Sequence, residues 1–229
     1  IQGSGAPGKR ARIADRSPPC STRFPGAGIM LGRAFMFAGL ALVAVAIEAA
    51  IGYPEPLYRA IGHPVTWIGR LIAWAEEAWN SPTASFEQRR GMGVVLLLLL
   101  LGTSIVAGLL VTDLLDEMFD DFFATMLCGL LASSLIAQRS LAAHVADVAK
   151  GLDEHGLAGG RSMVSRIVGR DTQALDEAGI SRAAIESLAE NFSDGVVAPL
   201  FWMVVAGLPG ALAYKAVNTA DSMIGHKSD

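Results

Sequence analysis

Long apolar runs separated by polar segments set the plan of this chain. Ala34 to Ile51 and Val94 to Thr112 are each long enough, at 1.5 Å of helix rise per residue, to cross about 30 Å of hydrocarbon or nearly so. The second contains six consecutive leucines, Leu96 to Leu101. Phe122 to Ala137 is shorter but uncharged, and Val196 to Val217 is longer but carries Lys215 and two prolines. The pattern predicts four spans, at about 34–51, 94–112, 122–137 and 196–217. Buried helices of a soluble protein are the competing reading for the two weaker runs. No segment alternates with the period of a strand, so the expected fold is an all-α, polytopic integral membrane helical bundle with a long cytoplasmic helical segment.

The polar connections differ in character. Residues 52–93 open with Gly52-Tyr53-Pro54-Glu55-Pro56 and Gly62-His63-Pro64, where proline interrupts any helix. Trp67, Leu71, Trp74 and Ala78 then recur at helical spacing, which predicts a helix lying in the membrane interface. The connection Asp113 to Asp121 holds five acids and no lysine or arginine. Residues 138–195 carry Arg139, Lys150, Arg161, Arg166, Arg170 and Arg182 and read as short helices: Leu141 to Lys150 stopped by Gly151, Arg161 to Val168 stopped by Gly169, Thr172 to Ala178 between Asp171 and Gly179, and one starting after Ser181. The excess of basic residues places 52–93 and 138–195 on the cytoplasmic side, with the acidic connection outside.

Residues 1–29 are rich in Gly, Pro, Ser and Arg and read as a disordered leader, outside the native product if translation starts near Met30. Residues 30–229 form the membrane-embedded domain. Apolar residues make up 52% of the chain and charged residues 17%, which agrees with a membrane protein. The net charge of −4 and the lack of a basic stripe argue against a nucleic-acid partner. Cys20 and Cys128 lie far apart, with no metal-ligand spacing around them, and read as structural filler.

Chemistry concentrates at the edges of the last apolar run. On a helix, Arg182, Glu186, Glu190 and Asp194 share one face at i, i+4 spacing, with Asn191 beside them. Three acids there can hold a divalent cation, or they can be a solvated face neutralised by Arg182. Asn218 and Asp221, one turn apart, can complete an ion or phosphate site with Lys215, or serve as an ordinary polar cap. Arg166 and Arg170 with Asp171 can grip a carboxylate or phosphate, or form an inter-helix salt bridge. His63 can act as an acid or base or cap the interfacial helix. Glu48, near the end of the first run, faces the bundle or snorkels to the interface. Phosphate loops, dinucleotide fingerprints, nucleophile elbows and zinc-protease motifs do not occur.

Four motifs in order, Gly62-His63-Pro64-Val65-Thr66-Trp67-Ile68-Gly69, Val168-Gly169-Arg170-Asp171-Thr172, Glu186 to Pro199, and Asn218-Thr219-Ala220-Asp221-Ser222-Met223, resemble the cobalamin-biosynthesis CobD/CbiB family. The likeness runs from about Met30 to the end. It implies a multi-pass enzyme of the bacterial inner membrane, an acid–amine ligase that uses ATP to join adenosylcobyric acid to (R)-1-aminopropan-2-ol or its O-phosphate. Family members often have aspartate where Glu48 stands and continue past the Asn218 motif, so a C-terminal truncation is expected.

The residues fit that implied chemistry. Glu186, Glu190, Asn191, Asp194 and His63 are the expected catalytic groups, with His63 taking a proton from the incoming ammonium. Arg166, Arg170, Asp171, Lys215 and Asn218 are expected to bind substrate or phosphate, and Glu190, Asp194 and Asp221 to hold Mg2+. ATP is the expected co-substrate, a corrinoid and aminopropanol (phosphate) the substrates, the bilayer the surroundings, and a homo-oligomer or pathway complex the assembly. Two other classes remain open. A transporter or ion channel lined by Glu48, Glu190, Asp194 and Asp221 predicts charge within spans and an internal repeat. A noncatalytic scaffold of a corrinoid pathway complex differs from the enzyme only in lacking activity.

Overall fold

The computed structural model describes residues 25–81, 83–169 and 171–225, and its regular structure there is entirely helical. Helices α1 (Pro25–Ile51), α2 (Glu55–Ile61), α3 (Pro64–Trp79), α4 (Phe86–Met118), α5 (Asp121–Ser133), α6 (Gln138–Val164), α7 (Glu177–Phe192) and α8 (Ala198–Ala220) follow in order. A π-helical turn, Ser193–Val197, joins α7 to α8, and another, Asp221–Gly225, follows α8. Among the described residues, the runs Phe86–Met118, Asp121–Val164 and Glu177–Gly225 are long and apolar enough to cross a membrane. Phe35–Ile51 and Pro56–Trp79 form a further pair bent by 107°. The protein is an all-α membrane bundle. The leader residues 1–24, Cys20 among them, lie outside the described residues.

Lipid explains the outer surface. Leu98 and Leu110 are each 63% exposed and Phe122 is 65% exposed, an arrangement that water would penalise and hydrocarbon does not. Because lipid tails are as apolar as leucine, close backbone approach must hold the helices together. Small residues provide it: a Cβ on Gly108 of α4 would come within 2.6 Å of the Pro209 Cα of α8, and one on Gly129 of α5 would overlap Val43 of α1. Leu40, Ala44, Cys128, Ala132, Met203 and Ala211 form the core where α1, α5 and α8 meet, so Cys128 is the packing residue its surroundings predict. Ile72, Leu96, Leu100, Ala216 and Ala220 form a second core between α3, α4 and the end of α8.

The apolar run at 196–217 is not one straight crossing. Twenty-four residues of continuous helix would separate Asp194 from Asn218 by about 36 Å. Their side chains instead hydrogen-bond, Asn218 Nδ2 donating to Asp194 Oδ2 at 3.0 Å. The helix breaks at Ala206 (φ −138°, ψ 18°) and Gly207 (φ 64°, ψ −155°) and folds back on itself. Gly207 adopts a backbone that a side chain resists, and Pro209 brings no N–H that the break would orphan. A Cβ on Gly210 would come within 2.5 Å of the Trp202 carbonyl oxygen, so the two arms of the hairpin touch. Both polar clusters therefore lie at one end of the bundle, whereas a single crossing would have placed the Asn218 motif at the other end with the acidic connection. Gly207→Ala is expected to destabilise the fold by roughly 1–3 kcal/mol from the backbone alone, and by more because its Cβ would lie 2.9 Å from the Phe37 ring. The check is the thermal unfolding midpoint of the variant in detergent.

The same device reshapes the polar segment. Gly151 and Gly169 do not end helices as the sequence suggests: α6 continues through a buried Gly151 and breaks at Gly156 (φ 59°, ψ −152°). Its arms are close enough that a Cβ on Gly151 would lie 3.0 Å from the Gly159 carbonyl oxygen. Small residues here serve close packing rather than termination. Residues 172–176 are turn and irregular backbone rather than helix, and α7 begins at Glu177 with Asp176 as N-cap, its Oδ1 accepting from Gly179 N at 2.7 Å. Neither Asp171 nor Ser181 caps a helix. The run 122–137 also divides, α5 ending at Ser133 and α6 starting at Gln138. The acidic connection is mostly helical, because α4 extends to Met118 and Asp120 then caps α5.

On α3, Ile72 and Ala75 are buried while Trp67 (46%), Leu71 (40%) and Trp74 (57%) are exposed. The predicted apolar stripe thus faces away from the protein, the position an interfacial helix gives its tryptophans.

Glu48 neither snorkels nor lines a pore. It is buried, and its two oxygens accept from the backbone N–H of Arg139 at 3.0 and 3.2 Å, so a carboxylate from α1 caps the start of α6. Ala137, the residue at the N-cap position, has no side-chain cap of its own. In return Arg139 Nη1 donates to the Ala49 and Ala50 carbonyls at 3.0 and 2.9 Å, and Gln138 Nε2 donates to the Val45 carbonyl at 2.8 Å. A helix C-terminus and a helix N-terminus satisfy each other's orphan groups and dipoles.

Candidate functional site

The polar end of the bundle is assembled from three pieces. The start of α6 is fixed to α1 by the Glu48 and Arg139 clasp and to the π turn by the Ala137 N–H, which donates to the Gly195 carbonyl at 3.0 Å. The connection after α6 is tied to α7 where Ser187 Oγ donates to the Ile167 carbonyl at 2.7 Å. Asn191 Nδ2 donates to the Ser187 carbonyl at 2.8 Å, extending the same link. The returning arm of α8 closes the site through the Asn218 to Asp194 bond.

These pieces enclose a cavity of about 370 Å³ lined by Glu190, Asn191, Asp194, Lys215, Asn218 and Ser222, with Ala137, Leu141, Ile167, Gly169 and Gly195 completing the wall. A second cavity of about 510 Å³ shares Ala137, Leu141, Ile167, Gly169 and Asn191 with it and adds Ser140, His144, Arg166 and Ser187. The two form one cleft, with carboxylates and Lys215 toward one end and Arg166 toward the other. Asp194 is half-buried and lies within electrostatic reach of Lys215 and Tyr214.

Five of the residues expected from sequence, Glu190, Asn191, Asp194, Lys215 and Asn218, therefore share one cavity, and Arg166 lines its extension. Others do not join them. Glu186 is exposed and lines neither cavity. Each step of four residues rotates a helix by about 40° beyond a full turn, so over two steps Glu186 swings off the face that Asp194 occupies. Asp221 is exposed on the second π turn and lines neither cavity; Ser222, one helical turn from Asn218 and bonded to its carbonyl at 2.9 Å, takes that place. Asp171 accepts from Gln173 N at 2.9 Å and shapes a turn. Arg170 lies outside the described residues, as does His226.

His63 is the N-cap of α3. Its Nδ1 accepts from Val65 N at 3.2 Å, and Thr66 Oγ1 accepts from the His63 backbone N–H at 3.1 Å. The Tyr53 ring packs edge-on at 4.6 Å between centroids. His63 lies in the connection between α2 and α3, outside the four predicted spans, and burial, followed by the charge of Lys215, holds its pKa below the usual imidazole value. With Nδ1 accepting, the neutral ring carries its proton on Nε2, and the geometry is that of a helix cap. Because the folded ring titrates below 6.5, the unfolded chain binds the proton first as pH falls. Stability is expected to decline on acidification from 6.5 down to the lower folded-state value and to level off below it. His63→Asn keeps a cap and is expected to remove that decline, read from unfolding midpoints between pH 5 and 8.

Among the described residues, no three His, Cys, Asp or Glu side chains come together in a metal-holding group. Glu190 and Asp194 line one cavity with the Asn218 carboxamide, a set that suits Mg2+ when substrate phosphates and water supply most of its ligands. Sequence reading missed Tyr214, which shares a helix face with Asn218 at i, i+4, and the Glu48 and Arg139 clasp. The first was legible from spacing, but nothing local signals a pair ninety-one residues apart.

Comparison with known proteins places the chain. The family model described as CobD/Cbib protein matches residues 41–229. A Rhodobacter capsulatus protein named Cobalamin biosynthesis protein CobD is 51% identical over 193 residues, covering 84% of this chain and 60% of the relative. Proteins of the same name from Rhizobium meliloti and Brucella suis are 48% and 46% identical over 187 residues, each covering 82% of this chain and 57% of the relative. No solved structure matches. The chain belongs to the CobD/Cbib protein family and spans about 60% of the length of the curated relatives it matches.

Proposed function

We propose that this chain acts in cobalamin biosynthesis as an ATP-dependent acid–amine ligase in the bacterial inner membrane, its polar end toward the cytoplasm. It would join adenosylcobyric acid to (R)-1-aminopropan-2-ol or its O-phosphate. The observation that carries the reading is the folded-back α8, which brings Lys215 and Asn218 onto Asp194 in a cavity continuous with Arg166. The names of the relatives supply the pathway.

A carboxylate is a poor electrophile, and amide formation at neutral pH requires its activation. In the proposed sequence a substrate carboxylate oxygen attacks the terminal phosphorus of ATP, releasing ADP. The amine nitrogen then attacks the acyl carbon, the C–O bond breaks, and inorganic phosphate leaves. Lys215 and Arg166 offset the negative charge on the phosphoryl oxygens, in a cleft where partial exclusion of water strengthens the interaction. The proton that the attacking amine loses would leave with the departing phosphate, Glu190 being taken up by Mg2+. Asp194 orients Asn218 and balances Lys215. Mg2+, held by Glu190 and Asp194, would neutralise the phosphates.

The transporter reading loses Glu48, which is spent as a helix cap. The test is to purify the protein in detergent, supply adenosylcobyric acid, ATP, Mg2+ and either form of the amine, and follow amide product by mass spectrometry and ADP release. Product and ADP in equal amounts are expected. Binding of the corrinoid with no ADP release would favour the scaffold, and uptake into proteoliposomes without product would favour the transporter.

A further inference from the structure

A second site lies away from the cleft, where α3 ends and α4 begins. A cavity of about 620 Å³ there is lined by Trp79, Phe86, Met92, Leu96, Arg89 and Arg90, among others. Two features locate it at the membrane edge. Trp79 packs edge-on against the exposed Trp74 at 5.6 Å between centroids, forming an aromatic pair of the kind that sits at headgroup level. Immediately C-terminal to Arg90, the chain enters the leucine-rich span, so Met92 and Leu96 carry the lining toward hydrocarbon.

The lining combines two guanidinium groups, Arg89 and Arg90, with the apolar side chains of Phe86, Met92 and Leu96. Glu76, on α3, is the carboxylate that shares the cavity, which leaves the ionisable lining with two positive charges and one negative. A soluble anion would gain nothing from Phe86, Met92 and Leu96, and a lipid without net negative charge would gain less from the arginines than an anionic one. We propose that this cavity binds an anionic phospholipid, its phosphate on Arg89 and Arg90 and an acyl chain along Met92 and Leu96. Charge complementarity selects the occupant. Ile224, on the π turn beside the cleft residue Ser222, also lines the cavity, so bound lipid would buttress the returning arm of α8.

The test uses the protein purified in detergent, with thermal unfolding followed while dioleoylphosphatidylglycerol, dioleoylphosphatidylcholine or inorganic phosphate is added, and retained lipid counted by native mass spectrometry. The anionic lipid is expected to raise the unfolding midpoint and to remain bound as about one molecule per chain, while the other two do neither. Arg89→Gln with Arg90→Gln is expected to raise the half-saturating lipid concentration at least about tenfold. Lys150→Gln, which removes one charge from an exposed position on α6, should leave it unchanged. Arg90→Gln alone, at an exposed position, should give a partial loss and covers the case in which the double variant fails to fold. An equal midpoint shift from phosphatidylcholine, a shift from inorganic phosphate alone, or undiminished retention in the folded Arg90 variant would overturn the proposal.

Discussion

Asp194→Asn is expected to lower amide-forming turnover by a factor on the order of 100 or more, with little change in the unfolding midpoint. The substitution keeps volume and shape, and the new carboxamide oxygen can still accept the bond that Asn218 Nδ2 gives the carboxylate at 3.0 Å. What disappears is the negative charge. Lys215 loses its counter-charge on the facing turn, and an Mg2+ ion would lose one of two carboxylates in the cavity. The matching control is Glu186→Gln, expected to change turnover less than about twofold, because that side chain is exposed and lines neither part of the cleft. Both sit in the motif 186–199 and look equivalent in sequence, so the pair separates the assembled site from the motif. Equal losses in the two variants would mean that the cleft is not where the reaction occurs.

Glu48→Ala is expected to be the most damaging single change to the fold, lowering stability by on the order of 3 kcal/mol. The carboxylate is 4% exposed, and both its oxygens take the N–H at the second residue of α6. Alanine would leave that N–H and the positive end of the helix without the acceptor that the carboxylate supplies. Arg139 would still hold the carbonyls of Ala49 and Ala50, so the clasp would be left half made. Glu48→Gln keeps one acceptor oxygen and is expected to cost about 1 kcal/mol. Chemical and thermal unfolding in a single detergent, compared across the three proteins, checks the order. Since the start of α6 also forms the wall of the cleft at Ala137 and Leu141, the alanine variant should lose activity at temperatures where the glutamine variant retains it.

Local order in the chain made much of this protein readable. Apolar runs of span length, no alternating segment, and tryptophans at helical spacing are consequences of backbone geometry and lipid solvation, so they fix an all-α membrane bundle and an amphipathic α3 without reference to anything distant. The polar residues at the edges of the last apolar run also announced themselves, because charge beside hydrocarbon is costly unless it is used. Five of them meet in one cavity.

Tertiary structure decided which of these residues could act together. Periodicity treats Val196 to Val217 as one span and Glu186, Glu190, Asp194 and Asp221 as equals. The positive φ at Gly207 reverses the helix, and that reversal sets Asn218 against Asp194 while leaving Glu186 and Asp221 on outer faces. Gly151 and Gly169 read as stops, yet Gly151 is a packing contact and the break falls at Gly156. Glu48 finds its purpose only at Arg139. A sequence window sees the rotation of a helix about its own axis; it cannot see where a broken helix returns, because that depends on which distant backbone comes close enough to touch.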